Sequence, residues 1–212
     1  MAPPIITLLT DFGLDDTYVG VIKGVILGLN PTARLVDLSQ AIPPQDVIRG
    51  ALALCTAWRY FPAGTIHLAV VDPGVGSGRR ALAAAAGGHF WVGPDNGLLW
   101  PVLAEQPSFQ VVSLENSSYF LPQVSATFHG RDIFAPVAAH LSLGVPLASL
   151  GPPVPDPVRL SLPEPAFGEE QVRGEIIAGD HFGNLMSNIP MARLHTWLAG
   201  RSARIRIQGR II

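Results

Sequence analysis

The chain has 212 residues, of which 48% are apolar and 14% are charged, and its formal net charge at pH 7 is −2. This composition supplies enough apolar side chains for one large domain, or for one domain and a smaller second one. The small net charge and the lack of a run of Lys or Arg argue against a nucleic-acid-binding or membrane-binding surface. The low charged fraction favours buried subunit interfaces.

Targeting and redox signals point to the cytoplasm. The first residues contain neither a basic segment nor the apolar stretch of a signal peptide. No apolar run reaches the roughly 18 residues of a membrane-spanning helix. The single cysteine, Cys55, lies within a helical pattern and has no partner for a disulfide.

The first 143 residues alternate between strand and helix patterns. Residues 5–9 form a short apolar run that ends at a turn, as in a strand buried on both faces. Apolar spacing from Asp16 predicts a helix that ends before Pro31. Further strands are predicted at 33–38, 66–71, 81–86, 89–92 and 110–114, and helices at 46–60 and from about 127 to 141. The alternation predicts an α/β domain, with a largely parallel central sheet flanked by helices, over residues 1–143.

The composition changes after residue 143. Seven of the 20 prolines lie between Pro146 and Pro165. Proline prevents regular strand pairing, so residues 144–166 are predicted to form an extended linker. Residues 167–212 are predicted to form a small β-rich C-terminal domain, with strands at 171–178 and 203–207 and a helix at 191–199.

Five polar clusters stand out at predicted element ends: 10–13, 72–80, 93–97, 127–132 and 179–184. Ligands of open α/β sheets bind at the carboxyl ends of the strands, but each cluster alone also suits an ordinary turn. The glycines of 74–78 lack the spacing of a phosphate-binding loop or a dinucleotide fingerprint. The histidines lack metal-ligand spacing, and no nucleophile elbow is present, which argues against a metal site and against a covalent serine mechanism.

Taken together and in order, the five clusters resemble one family. They contain Thr-Asp-Phe-Gly, Val-Val-Asp-Pro-Gly-Val-Gly-Ser, Gly-Pro-Asp-Asn-Gly, Thr-Phe-His-Gly-Arg-Asp and Asp-His-Phe-Gly-Asn-Leu. This set is similar to the S-adenosyl-L-methionine hydroxide adenosyltransferases, relatives of the fluorinating and chlorinating enzymes, over Ile5 to about Ile189. The resemblance implies hydrolysis of S-adenosyl-L-methionine, as a small-molecule substrate, to adenosine and methionine, with no further cofactor.

The same resemblance implies which residues hold the attacking water: Asp72, Arg79 and His129. Halogenating relatives have Tyr in place of Asp72 and Tyr-Ser in place of His129-Gly130, so hydrolysis is favoured over halogenation. The sulfonium already activates C5′, and the protein has to position a nucleophile in a dry pocket. Either the Asp72 carboxylate or the His129 imidazole can accept the proton of water, while Arg79 keeps the carboxylate ionised or favours hydroxide.

Substrate contacts and assembly also follow from the resemblance. Asp11 is expected to bind the ribose hydroxyls and Asp180 the methionine ammonium. The other implied substrate-binding residues are Asn184 at the nucleoside, Phe182 facing adenine, and Thr127 with Phe128 beside the sugar. Family members are homotrimers whose sites lie between the first domain of one subunit and the second domain of its neighbour. They also continue past the position of Arg210, so the C-terminal domain of this chain is expected to be incomplete and to lack part of the adenine-binding segment.

Several alternatives stay open at this point. A halide-using nucleosyl transferase is one, and a non-catalytic module that binds S-adenosyl-L-methionine or adenosine is another. Locally, Asp72 could cap a turn, His129 could be structural, and Arg79 could be a surface residue with the functional register shifted to Arg80. Arg131 and Asp132 are predicted to start a helix and to pack there.

Overall fold

A computed structural model describes residues 2–211, and the chain divides into two units after Leu160. The strands of the first unit are β1 (Ile5–Thr10), β2 (Arg34–Ser39), β3 (Ile66–Val70), β4 (Ala81–Ala86), β5 (His89–Pro94) and β6 (Phe109–Ser113). Its α-helices are α1 (Tyr18–Leu29), α2 (Val47–Ala57), α3 (Trp100–Ala104) and α4 (Ala135–Ser142). A π-helical turn, Gly130–Phe134, leads into α4. Among the described residues, no helix has the length and apolarity needed to cross a membrane.

The six strands form one sheet in the order β2-β1-β3-β5-β4-β6. Four of them, β2, β1, β3 and β5, run parallel to one another, whereas β4 runs antiparallel to β5 and to β6. The prediction of an α/β fold with a largely parallel central sheet is therefore confirmed.

Both faces of the sheet are covered by helices, which explains why the central strands are continuous apolar runs. Ile6 and Leu8 of β1 join the core beneath α1 and α4, while Leu9 joins the core beneath α2 and α3. In β3 all five residues are buried.

Residues 144–160 differ from the predicted linker, because they pack on the first unit. Leu147, Leu150 and Val154 are buried, and Pro153 forms an isolated bridge with Val112 of β6. The prolines of this stretch are interspersed with apolar residues that find places in the core, so the chain is extended but not detached. The predicted linker 144–166 is thus divided between the two units.

The second unit begins at Ser161, and its described part, to residue 211, contains three separate pairs of short antiparallel strands and one helix. The strands are β7 (Ala166–Phe167), β8 (Val172–Arg173), β9 (Ile176–Gly179), β10 (Leu185–Ser187), β11 (Arg206–Ile207) and β12 (Arg210–Ile211), and the helix is α5 (Met191–Leu198). The single strand predicted at 171–178 is interrupted at Gly174, where a side chain would collide with Asn188 and Ile189. Every residue of α5 is at least partly exposed.

A group of polar and aromatic side chains is buried near the amino ends of the central strands. We call Thr7, His67, His89 and Trp91 the amino-end cluster. His67 Nδ1 lies 2.8 Å from Thr7 Oγ1, and His67 Nε2 lies 3.2 Å from His89 Nδ1. The Trp91 ring stacks on His67 with 4.4 Å between ring centroids. Burial, together with the neighbouring His89, lowers the pKa of His67 to about 3, so this imidazole is neutral at physiological pH.

Candidate active site

The carboxyl ends of β1, β3 and β5 lie side by side at the opposite end of the sheet. Asn96 Nδ2, in the loop after β5, donates a hydrogen bond of 2.8 Å to the Val71 carbonyl oxygen after β3. This bond ties the two loops together. Ligands of α/β sheets bind at this end, and three of the predicted polar clusters meet here.

Asp72 and Arg79 form a nearly buried ion pair in the loop after β3. The loop turns back on itself through Gly76, whose φ of 77° favours glycine. Arg79 Nε lies 2.9 Å from both carboxylate oxygens of Asp72, and Arg79 Nη2 also donates to Asp72 Oδ2. The side chains of Arg79 and Asp72 are only 10% and 5% exposed. A buried charge pair of this geometry is held by several charge-assisted hydrogen bonds.

His129 completes what we call the carboxyl-end cluster: Asp72, Arg79 and His129. Arg79 Nη2 donates a hydrogen bond of 2.9 Å to His129 Nδ1. Because Nδ1 accepts, the neutral ring carries its proton on Nε2. Burial is the largest cause that lowers the pKa of His129, followed by the Arg79 guanidinium, while Asp72 and Asp132 act in the opposite direction. The three side chains implied by the resemblance therefore form one hydrogen-bonded unit.

Asp11 lies directly after β1, and one of its oxygens has a structural role. Asp11 Oδ2 accepts a hydrogen bond of 2.7 Å from the Gln45 backbone N–H. Gln45 has a φ of 66°, an uncommon conformation for a non-glycine residue, and Asp11 helps to hold it. Within residues 2–211, Asp11 Oδ1 accepts no hydrogen bond, which leaves one oxygen for a ligand hydroxyl.

Asp180, Phe182 and Asn184 come together in one turn of the second unit, between β9 and β10. Asp180 Oδ1 accepts from the backbone N–H groups of Phe182 and Asn184, at 2.9 and 2.8 Å, and Asp180 Oδ2 accepts from Asn184 Nδ2 at 2.6 Å. The side-chain hydrogen bond from Asn184 is the main cause that lowers the pKa of Asp180. Phe182 is 87% exposed. The turn presents an ionised carboxylate and an exposed aromatic ring.

A family model decides the classification. The model of the SAM hydroxide adenosyltransferase N-terminal domain, where SAM is S-adenosyl-L-methionine, matches residues 6–151. The chain belongs to this family. The matched region contains β1 from its second residue, all of β2 to β6, and the whole carboxyl-end cluster.

Individual members of the SAM hydroxide adenosyltransferase family and their relatives agree with this assignment. A Salinispora tropica protein named (R)-S-adenosyl-L-methionine hydrolase is 50% identical over 189 residues, covering 87% of this chain and 72% of that protein. An Actinoplanes fluorinase is more distant, at 29% identity over 231 aligned residues, covering 96% of this chain and 78% of the fluorinase. A Thermotoga maritima crystal structure described as an uncharacterized conserved protein superposes with a TM-score of 0.89 at 37% identity, covering 98% of this chain and 80% of that one.

The neighbouring Arg80 has a different set of partners from Arg79. Arg80 Nε lies 2.6 Å from Asp95 Oδ2, and its Nη1 lies 2.8 Å from Asp156 Oδ1. Asp95 Oδ1 also accepts from the Val158 backbone N–H at 2.7 Å. Arg80 therefore fastens the segment after the α/β core of this SAM hydroxide adenosyltransferase to the loop after β5, and it is Arg79 that contacts Asp72.

The structure adds two aromatic residues that sequence reasoning did not assign to the site. Phe12, Tyr18 and Phe128 pack edge to face, with ring centroids 5.1–6.0 Å apart. Phe12 follows Asp11, and Phe128 precedes His129, so this aromatic group lies between two predicted site residues. Thr127 is exposed next to it. For Phe12 the signal was present in the sequence, because this residue belongs to the Thr-Asp-Phe-Gly motif.

Proposed function

We propose that this protein hydrolyses S-adenosyl-L-methionine to adenosine and L-methionine, with Asp72, Arg79 and His129 holding the water. The observation that carries the proposal is the carboxyl-end cluster, in which a nearly buried carboxylate, guanidinium and imidazole are joined by hydrogen bonds. The 50% identity to a protein named as the hydrolase supports the same substrate.

The reaction needs a positioned oxygen nucleophile and a proton acceptor. The water oxygen forms a bond to C5′, the C5′–S bond breaks, and its electron pair stays on sulfur, which becomes a neutral thioether. The proton of water passes to the Asp72 carboxylate, or to His129 Nδ1 once that nitrogen gives up its hydrogen bond from Arg79. Arg79 holds both acceptors in place. Because the sulfonium is already a good leaving group, we propose that no cofactor takes part.

A halide-using reaction is less compatible with this cluster. A halide would have to enter beside the Asp72 carboxylate, and like charges in a poorly solvated site repel strongly. The cation of this cluster, Arg79, is already paired with that carboxylate. A neutral water molecule meets no such repulsion and can donate to the carboxylate.

The substrate contacts are proposed on similar grounds. The unused oxygen of Asp11 suits a ribose hydroxyl, and Phe128 with Thr127 lines the wall beside it. In the second unit, Asp180 suits the methionine ammonium, and Phe182 with Asn184 suits the nucleoside.

We further propose that the active form is a cytoplasmic homotrimer with its sites between subunits. The exposed apolar side chains of α1, Tyr18, Val21 and Leu27, support an interface on that helix. Light scattering should then give a mass three times that of the 22.5 kDa chain. A fully active monomer would contradict the shared site.

The decisive test follows adenosine in halide-free buffer by chromatography, with each sulfonium epimer of the substrate. Both epimers are needed because the relative's name specifies two stereocentres. The label L gives the configuration of the methionine α carbon, so (R) gives the configuration of the sulfur. In ¹⁸O-labelled water, attack at C5′ must place the label on the adenosine 5′ oxygen. Asp72→Asn should lower the rate by about 10²- to 10⁴-fold, whereas Asp156→Asn, which removes an exposed arginine-paired carboxylate, should not.

Other products would select the alternatives. A 5′-halogenated nucleoside formed only when halide is added would identify a halide-using transferase. Ligand binding without turnover by either epimer would identify a binding module and overturn the hydrolase proposal.

A further inference from the structure

Asp132 lies three residues after His129, and its carboxylate is fully buried. It was predicted to start a helix, and the structure places it in the first turn of the π-helical segment Gly130–Phe134, with four hydrogen bonds. Its oxygens accept from the Ser125 backbone N–H at 2.8 Å, from Ser125 Oγ at 2.8 Å, and from Arg131 Nε and Nη2 at 2.6 and 3.1 Å. These bonds fill the acceptor capacity of a carboxylate.

The bonds to Ser125 close the loop that carries His129. The Ser125 hydroxyl donates to Asp132, and its oxygen accepts from the Phe128 backbone N–H at 3.0 Å. The Phe128 carbonyl oxygen in turn accepts from the backbone N–H of Asp132 at 3.1 Å. Residues 125–132 therefore form a loop whose two ends are joined by hydrogen bonds, and this restricts the movement of His129. Single π-helical turns within helices are frequent at functional sites.

The closed loop also contacts the His129 ring and the loop that carries Arg79. The Ser125 backbone is among the groups that raise the pKa of His129. A side chain at Gly76 would overlap the Ala126 carbonyl oxygen, so the two loops are in direct contact. His129 is thus held by Arg79 on one side and by its own loop on the other.

The same carboxylate fixes part of the aromatic group. Asp132 orients Arg131, whose guanidinium lies 5.2 Å from the centroid of the Phe128 ring. Phe128 packs on Phe12, next to Asp11. One buried carboxylate therefore connects to the water-holding cluster and to the wall of the proposed ribose site.

We infer that Asp132 is a positioning residue: through Ser125 it fixes the loop that presents His129 to the reacting water. This inference rests on the proposed hydrolysis. A purely structural Asp132 would affect folding stability alone. A positioning Asp132 also affects the turnover rate and the environment of the imidazole.

The first measurement is the titration of His129 by NMR in Asp132→Asn. The charged groups that face His129 are Arg79, Asp72 and Asp132. Removing the Asp132 charge removes one of the two carboxylates that raise the pKa of His129, so this pKa should fall further, and the pH profile of kcat should move with it.

Asp95→Asn is the matched control. Asp95 is also a buried carboxylate that accepts from an arginine Nε, at 2.6 Å, and from a backbone N–H, at 2.7 Å, but its partners are Arg80 and Val158. Both variants weaken a bond from an arginine Nε and a bond from a backbone N–H. Only Asp132→Asn should change the His129 titration.

Ser125 variants keep the inference testable if Asp132→Asn does not fold. Ser125→Ala should lower kcat about tenfold with KM nearly unchanged, because a misplaced catalytic group reduces the rate more than it weakens binding. Ser125→Thr retains the hydroxyl and should restore most of the rate. Equal rates in the alanine and threonine variants would overturn the inference.

The two proposals fail in different ways. If the wild-type protein forms no adenosine, the hydrolase proposal fails, while the His129 titration still tests the contact with Asp132. If adenosine forms but Asp132→Asn and Asp95→Asn have the same His129 pKa and the same kcat, the positioning role alone is wrong.

Discussion

The two ends of the central strands each contain a histidine in a polar network, but the networks differ in charge. In the carboxyl-end cluster, His129 accepts from an arginine that is paired with Asp72. Asp72 and Arg79 lie on a loop, and His129 lies at the start of the helical turn Gly130–Phe134. In the amino-end cluster, His67 contacts Thr7 and His89, and all three lie on strands. Charged groups on loops can respond to a ligand, whereas neutral groups between strands stabilise the sheet.

Burial lowers the pKa of both histidines, yet the outcome differs. His67 faces another imidazole, which adds to the effect of burial, and its pKa falls to about 3. His129 faces Arg79, which adds to burial, and Asp72 and Asp132, which oppose it. The proton affinity of His129 is therefore a balance of opposing charges, and a ligand or a substitution can shift that balance.

The largest expected effect separates two adjacent arginines. Arg79→Lys should lower kcat/KM for adenosine formation by about 10²-fold or more. The planar guanidinium contacts both Asp72 oxygens and His129 at once, and the lysine ammonium lacks this geometry. Arg80→Lys should change kcat/KM by no more than about twofold, since Arg80 contacts Asp95 and Asp156 away from the cluster. Steady-state kinetics of the two purified variants gives the ratio. Equal losses of kcat/KM in the two variants would show that the contacts of Arg79 in the carboxyl-end cluster are not specifically required for adenosine formation.

A smaller effect is expected from acid on the amino-end cluster. The pKa of His67 is about 3 in the folded protein and about 6.5 in an unfolded chain. The unfolded chain therefore binds this proton first as the pH falls, and stability is lost below pH 6.5. Between pH 7 and pH 5 the loss from His67 alone should be about 2 kcal/mol.

Urea unfolding of His67→Gln at several pH values measures this contribution. The variant should lose about 2 kcal/mol less than the parent between pH 7 and pH 5, while its adenosine formation at pH 7 stays unchanged. His195→Gln, which removes an exposed histidine of α5, is the control and should keep the parental pH dependence. If the free energy of unfolding changes equally with pH in His67→Gln and in the parent, the His67 imidazole does not contribute to the acid sensitivity of the amino-end cluster.

The centre of the sheet could be predicted because β1, β3, β4 and β5 are almost wholly buried. Runs such as residues 66–71 are long enough to identify as strands and too short for most helices. The helix α3 was missed, since its five residues include Pro101 near the start and span little more than one turn. The path of residues 144–160 was also missed, because proline content indicates an extended chain and does not show what that chain packs against.

The site residues were harder to predict from sequence patterns than the sheet was. Asp72 follows a predicted strand, but His129 is 57 residues further along and follows none, so only the family resemblance placed them together. Composition cannot separate Arg79 from Arg80. The contact of Asp11 with Gln45 depends on a backbone conformation that glutamine rarely adopts, and no local signal predicts it.

The smallest expected effect concerns one neutral hydrogen bond in the amino-end cluster. Thr7 is fully buried, and its hydroxyl lies 2.8 Å from His67 Nδ1. If the Thr7 hydroxyl donates to His67 Nδ1, then His67 Nε2–H donates to His89 Nδ1. Both nitrogens of the His67 ring then have a hydrogen-bond partner. Thr7→Val keeps the shape but removes the donor, so the free energy of unfolding at pH 7 should fall by about 1 kcal/mol. Thr7→Ser keeps the donor and serves as the control in urea unfolding.

The loss of stability from Thr7→Val should be far smaller than the loss from Asp72→Asn, because Thr7→Val leaves no charge unpaired. Asp72→Asn leaves the Arg79 guanidinium buried without its partner and should cost about 3 kcal/mol or more. Similar losses in the two variants would mean that charge does not set the two clusters apart.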